Sequence, residues 1–345
     1  MNNSQVDEKQ EKISKACNLA IMFLVGQTCA FLVALSSVCV THLKKYSLEL
    51  PFSMNLIPFL FIGLFTTPSA VYRIFHERNL KEFWTYFKSY GFIYLIIAIC
   101  EVSNNWAITS AYYMTNLVSV QSLTSFAVFS GLLLSRLIFR LKYIYTHYIG
   151  LLICILGYIM MIIADYKHGS RTDRETSPTN KHYIFSQKAD IIIGDLLTIF
   201  GSVCYGISLT LQEFIIRKDG FIVNLGTYSL MACITMVPFI VGFERTEIYL
   251  AVKNVEFYPG SVGWAFFSYA AIIVAISILV NFFLNRWNSV YLNLSLLTTN
   301  FYALIMATLI FHEKFTPLYF FSFCIIAFGC IIFSLVKPEK KSVEK

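Results

Sequence analysis

The sequence predicts an all-α polytopic membrane protein of about ten transmembrane helices, arranged as two inverted five-helix repeats. Three observations lead there. Of the 345 residues, 57% are hydrophobic and only 14% are charged, against about 25% charged in an ordinary soluble domain. Apolar runs of the roughly 20 residues needed to cross hydrocarbon recur from Asn18 to Ser334. A polar stretch lies near the midpoint, and the sequence on its two sides matches weakly at an offset of 172 residues.

In chain order, spans are expected near 19–41, 52–74, 89–111, 116–138, 144–165, 190–215, 222–243, 261–284, 289–311 and 317–336. A polar tail of mixed charge, 1–17, precedes the first. That first apolar run lacks the short core and small-residue cleavage site of a signal peptide, so it reads as a retained span. None of the ten shows the alternating polarity of a barrel strand. Most connections are short, which makes neighbouring helices antiparallel. The exception is 166–189, rich in Ser, Thr, Lys and Arg with Gly169 and Pro178, the composition of a flexible linker. The expected organisation is therefore a tail 1–17, a first repeat 18–165, a linker 166–189, a second repeat 190–336 and a tail 337–345.

At the 172-residue offset, Asn116 falls on Asn288, Val118 on Val290, Gln121 on Asn293, Lys142 on Lys314 and Gly157 on Gly329. Five helices per half is an odd number, so the halves must have opposite topologies. Such inverted repeats place a solute site near the bilayer midplane between them. Of the 27 Lys and Arg, most fall on the N-terminal side of the membrane. They include Arg73, Lys88, Arg136, Lys142, Arg217 and Arg286. That bias puts both termini in the cytoplasm.

Polar groups inside spans cost free energy, about 2.5–3.5 kcal/mol for a charge at mid-helix, and mark function by default. Glu101 is the deepest, about 20 Å of helix beyond Lys88. It shares a face with Asn105 and Tyr112. It reads either as a buried structural carboxyl or as a cavity acid for a proton or a cationic group. The sixth span carries Asp195, Tyr205 and Glu213, the last four residues before Arg217 and suited to an interfacial ion pair. Gln121 in the fourth span, with Asn293 and Asn300 in the ninth, are too bulky for simple small-residue packing.

Several classes are excluded or disfavoured. The net charge of +7 has no dense basic stripe, so nucleic acid is not an expected partner and anionic lipid headgroups are. The nine cysteines include no Cys-x-x-Cys pair, and no Cys/His cluster has metal spacing. No phosphate loop or His-Glu-x-x-His occurs, so neither a metal, a cofactor nor an enzyme activity is expected. No Lys or Arg falls in the middle third of a span. A phosphate-bearing ligand would call for fixed positive charge. The interior suits a neutral or cationic ring compound better than a nucleotide sugar.

Glu101-Val102-x-x-Asn105, Ala111-Tyr112, Thr115 and Ser119-Val120-Gln121 together resemble solute carrier family 35, subfamily F. So do Gly26-Gln27, Gly194-Asp195-Leu196, Tyr205, Glu213 with Arg217-Lys218, and Asn293-Leu294-x-x-Leu297-Thr298. The resemblance covers about 19–335. It implies a drug/metabolite transporter fold and a carrier with a central cavity and alternating access, for small nucleobase- or nucleoside-like metabolites. Close members carry charges where this chain has Ser103, Ser110, Thr124 and Asn300. The expected cavity lies between spans one, three, four, six, eight and nine. Its expected substrate residues are Glu101, Asn105, Tyr112, Gln121, Asp195, Tyr205, Asn293 and Asn300. Uniport, exchange and proton coupling all stay open. A nucleotide-sugar antiporter of an internal membrane and a non-transporting scaffold are the rival readings.

Overall fold

The computed structural model describes residues 3–44, 46, 50–77, 80–115, 117–139, 141–142, 144–168, 187–253, 260–311, 317–334 and 339–340. Its first half holds α1 (Asn3–Lys44), α2 (Pro51–Glu77), α3 (Leu80–Met114), α4 (Leu117–Thr124), α5 (Ala127–Phe139) and α6 (Tyr145–His168). The second half holds α7 (Gln187–Asp219), α8 (Phe221–Phe239), α9 (Arg245–Lys253), α10 (Gly260–Arg286), α11 (Ser289–Leu296), α12 (Thr299–Ile310) and α13 (Pro317–Ser334). Two-residue strands β1 (Leu141–Lys142) and β2 (Glu339–Lys340) pair antiparallel and tie the first half to the C-terminal segment. The expected tail 1–17 is helical from Asn3 onward, and most of the expected linker lies outside the described residues.

Among the described residues, nine helical stretches are long and apolar enough to cross a membrane, and α13 adds a shorter apolar helix. Their outer surfaces are oily. Leu64, Leu137, Trp264, Phe267 and Leu309 are each exposed by about two-thirds or more. Water would not tolerate such a belt, whereas lipid tails solvate it.

Three expected spans are not single helices. The fourth is α4 and α5, and the ninth is α11 and α12. At each break the backbone tightens into i→i−3 bonds. Ser125, Phe126, Val128 and Phe129 donate to Ser122, Leu123, Ser125 and Phe126. Leu297, Thr298, Asn300 and Phe301 donate to Leu294, Ser295, Leu297 and Thr298. Neither break holds a Pro or Gly, so only tertiary context can favour the 3₁₀ stretch. The seventh expected span is α8, a π turn at Ile240–Glu244 and then α9.

The two sets of tightened bonds occupy equivalent positions at the 172-residue offset. That offset also superposes the bounds of α4 on α11 and the C-terminus of α3 on that of α10. Packing repeats the relation. Helices α6 and α13 form a pair at the edge of the bundle, where the Cys154 thiol donates to the Ile326 carbonyl at 3.4 Å. A Cβ on Gly157 would meet Ile326 at 2.6 Å, and one on Gly329 would meet Cys154 at 2.6 Å. Because 154 pairs with 326 and 157 with 329 under the offset, the contact is self-complementary, as across a two-fold axis. Two inverted halves follow, with α4–α5 and α11–α12 facing each other at the centre.

Gly157→Leu and Gly329→Leu should each overpack this pair and cost about 1–3 kcal/mol. In lipid nanodiscs their unfolding temperatures should fall. Gly63→Ala, where the nearest atom to the new Cβ is at 3.8 Å, should change little. Equal behaviour of all three would refute the close approach.

Candidate functional site

A cavity of about 950 Å³ lies between the halves. Its walls come from the six expected spans: α1, α3, α4–α5, α7, α10 and α11–α12. The helix breaks form part of the lining through Thr124, Ser125 and Thr299. Opposite them, α3 presents Asn104, Asn105, Thr109 and Tyr112. From α7 come Ser202 and Tyr205, from α10 Tyr269, and from α11 Asn293. Apolar Val33, Val40, Ile273 and Ile276 fill the remainder. None of the lining residues is Asp, Glu, Lys, Arg or His. This is an uncharged site of carboxamides, hydroxyls and phenol rings.

Hydrogen bonds fix several of these groups. Gln121 Nε2 donates to the Tyr112 hydroxyl at 2.5 Å. Its Oε1 is buried without a hydrogen-bond partner among the described residues, as is Thr299 Oγ1. The Tyr269 hydroxyl donates to Asn55 Oδ1 at 2.7 Å. Gln27 Oε1 accepts from Thr298 Oγ1 at 3.0 Å and the Tyr302 hydroxyl at 3.1 Å, tying α1 to the second break.

Carbonyls freed by the breaks find side-chain donors. The Gln121 carbonyl accepts from Thr124 Oγ1 at 2.6 Å, and the Leu123 carbonyl, which already takes the Phe126 N–H, has Ser202 Oγ at 3.3 Å as a second neighbour. These bonds meet the requirement that buried backbone groups be bonded.

Five of the eight expected site residues line the cavity: Asn105, Tyr112, Gln121, Tyr205 and Asn293. Three do not. Asn300 stands behind the wall and donates to Ser125 Oγ at 3.3 Å, joining the two breaks. Asp195 is buried beside Gly194, whose backbone lies against Thr115 near the far end of α3. Glu101 is one helical turn before Asn105 and faces α7. There its Oε1 accepts from Ser208 Oγ and from Gln212 Nε2, each at 2.8 Å. The expectation of a cavity acid is corrected on this point. The polar face of α3 slants across the cavity's edge, and its carboxylate is consumed by helix packing with α7. Asn104, Thr109 and Tyr269 are lining residues that spacing did not single out.

Two other buried carboxylates serve helix ends. Glu213 accepts from the Ser289 backbone N–H at 2.8 Å and from its hydroxyl, at the first residue of α11. It also takes Arg217 at 2.6 Å, which in turn donates to Asn288 Oδ1. Glu244, set by the π turn, accepts from the Phe52 and Ser53 backbone N–H groups and from Ser53 Oγ, at the start of α2. A carboxylate at a helix N-terminus satisfies orphan donors and opposes the helix dipole. Glu244→Ala should therefore cost about 0.5–2 kcal/mol. Amide exchange at Phe52 and Ser53 should accelerate, while the 145–164 amides keep their protection. Unchanged exchange at 52–53 would remove the cap assignment.

The sequence profile of solute carrier family 35 (SLC35F) matches residues 15–335. The chain is 24% identical over 325 residues to an uncharacterized solute carrier family 35 member of Schizosaccharomyces pombe, covering 94% of this chain and 60% of that protein. It is 25% identical over 310 residues to solute carrier family 35 member F2 of Mus musculus, covering 87% and 76%. The member F2 protein of Xenopus tropicalis is 26% identical over 240 residues, covering 70% and 58%. The chain thus spans less than two-thirds of the length of the yeast and frog relatives. A solved structure described only as the crystal structure of a protein superposes with a TM-score of 0.55 at 13% identity. It covers 92% of this chain and 97% of that one, a likeness of fold.

Proposed function

The chain belongs to solute carrier family 35, and from that membership we propose that it carries a small, uncharged heterocyclic solute across a membrane by alternating access. The observation that carries this reading is the cavity's wall: carboxamides and phenols without a formal charge, centred on two equivalent helix breaks. Asn105, Gln121 and Asn293 offer both donors and acceptors to the edge of a ring. Tyr112 and Tyr205 offer faces or edges for its plane. Gln121 Oε1 has no bonded donor among the described residues, and a turn of the carboxamide toward the cavity would offer it to a solute N–H. A purine or pyrimidine base, or its nucleoside, has this complementarity. A cationic solute would have no counter-charge in the wall, and a nucleotide sugar would have no cation for its phosphates.

Alternating access needs two halves that can reorient around a fixed site. In this proposal those halves are 18–165 and 190–336, joined by 166–189, and the breaks are where α4–α5 and α11–α12 bend. The Lys and Arg bias places both tails in the cytoplasm. Glu101 and Asn300 hold helices, and neither they nor Asp195 touches the solute.

Thermal-shift and calorimetric titration of the purified chain with adenine, uracil, their nucleosides and a set of nucleotide sugars tests this. A neutral base or nucleoside should bind. Gln121→Leu and Asn293→Leu should each weaken it about tenfold, the cost of one unpaired hydrogen bond of about 1.4 kcal/mol. Binding by nucleotide sugars alone would point to an antiporter. Wild-type affinity in both Leu variants would place the site elsewhere.

A further inference from the structure

Outside the cavity, one buried network has no part in holding solute. Glu101 on α3 accepts from Ser208 and Gln212 on α7. Gln212 Nε2 also reaches Ser208 Oγ at 3.0 Å. Gln212 Oε1 accepts from Asn224 Nδ2 on α8 at 3.4 Å, and that amide also donates to Asn281 Oδ1 on α10 at 2.8 Å. Asn281 Nδ2 ends the chain on the Ser277 carbonyl at 2.9 Å. Ser208, Asn224 and Asn281 are fully buried, and Gln212 nearly so. Four helices are thus linked through one acid, and three of them, α3, α7 and α10, also wall the cavity.

We propose that Glu101 is a proton-binding site whose occupancy is coupled to reorientation of these helices, so that proton movement drives the solute. Coupling to transport rests on the proposed function; the proton site does not. The direction of the hydrogen bonds supports a proton over a metal cation. Amide N–H groups point from Asn224 to Gln212 and from Gln212 to the carboxylate, an arrangement that stabilises a negative oxygen. A metal ion would require amide oxygens turned inward. One proton taken from water converts the carboxylate to a neutral carboxyl, with no change in oxidation state, and returns to water on the other side. The neutral group no longer needs two donors, so the tie from α3 to α7 loosens. Losing a charge-assisted bond in such a network alters the packing of every helix in it.

The other titratable groups facing Glu101 are thiols and phenols, with no second carboxylate and no basic side chain among them. They are Cys100 on its own helix, Cys204 and Tyr205 on α7, and Tyr228 on α8. Cys29 on α1 lies beyond Tyr205. Before Tyr72, α2 has no titratable side chain, α4 has none, and α10 has only Tyr269 above its terminal Arg286. Asp195 lies far along α7, and Glu213 is engaged with α11.

The test uses the full chain in liposomes, wild type against Glu101→Gln and Glu101→Asp. Infrared difference spectra between about pH 5 and about pH 9 should show the carbonyl stretch of a protonated buried carboxyl in wild type. It should be absent in Glu101→Gln and restored, shifted, in Glu101→Asp. Amide exchange in 205–228 and 273–284, corrected for intrinsic rates, should respond to pH in wild type and not in Glu101→Gln. With tritiated adenine as probe, a gradient of one pH unit should drive up to about tenfold accumulation at one proton per solute. Glu101→Gln should only equilibrate it. A carboxyl band that survives Glu101→Gln overturns the proton site whatever adenine does. A sodium gradient that drives accumulation when a pH gradient does not overturns the coupling of that proton to the solute. If adenine is not carried while the band and the exchange response behave as expected, the substrate reading fails and the proton site stands.

Discussion

Inside hydrocarbon every backbone N–H and C=O must be bonded, and the rest of this structure depends on that constraint. It forces the chain into helices, and it permits a helix to break only where protein groups can replace the missing bonds. Here the two breaks face each other between the halves, as far from lipid as the bundle allows. Thr124 and Ser202 take carbonyls of the first break, Thr298 and Gln27 brace the second, and Asn300 joins the two. The same polar groups that make the breaks tolerable also give the largely apolar cavity beside them polar positions. The position of the site is a consequence of where backbone irregularity can be accommodated.

Three buried glutamates sort by what they compensate. Glu213 and Glu244 each meet backbone N–H groups at the first turn of another helix, so their charge is opposed by a helix end. Glu101 has no helix end beside it and is held only by a hydroxyl and a carboxamide. Of the three, it alone can lose its charge without leaving orphan backbone donors behind. That difference separates a structural carboxylate from one suited to titrate. It is invisible in the composition of the spans.

Much of the architecture was legible because lipid makes the signal simple. Long apolar runs located the spans, and the 172-residue offset linking Gln121 to Asn293 and Gly157 to Gly329 marked the duplication. The breaks were not legible: Ser125-Phe126 and Leu297-Thr298 contain no helix breaker, and only tertiary bonds favour the tightened turns. The π turn that aims Glu244 at α2 follows Pro238, a signal that was present but whose outcome depends on the neighbouring helix. Residue type singled out five residues that line the cavity, and also Glu101, which faces α7 one turn away. Spacing correctly groups Glu101 with Asn105, but it cannot say that Ser208 and Gln212 stand opposite one and empty space opposite the other. Those two α7 residues carry no signal of their own in the sequence because their partner is on another helix.

The central claim is that the solute sits in the uncharged cavity at the two breaks and does not touch Glu101. The most direct measurement is a cryo-electron microscopy structure of the full chain in nanodiscs with the tightest-binding neutral base or nucleoside. The account predicts density beside Gln121 and Asn293, against Tyr112 or Tyr205, with Glu101 still bonded within the protein or freed from α7 but not in contact with the solute. Density in direct contact with Glu101, or outside the space between α4–α5 and α11–α12, would contradict it.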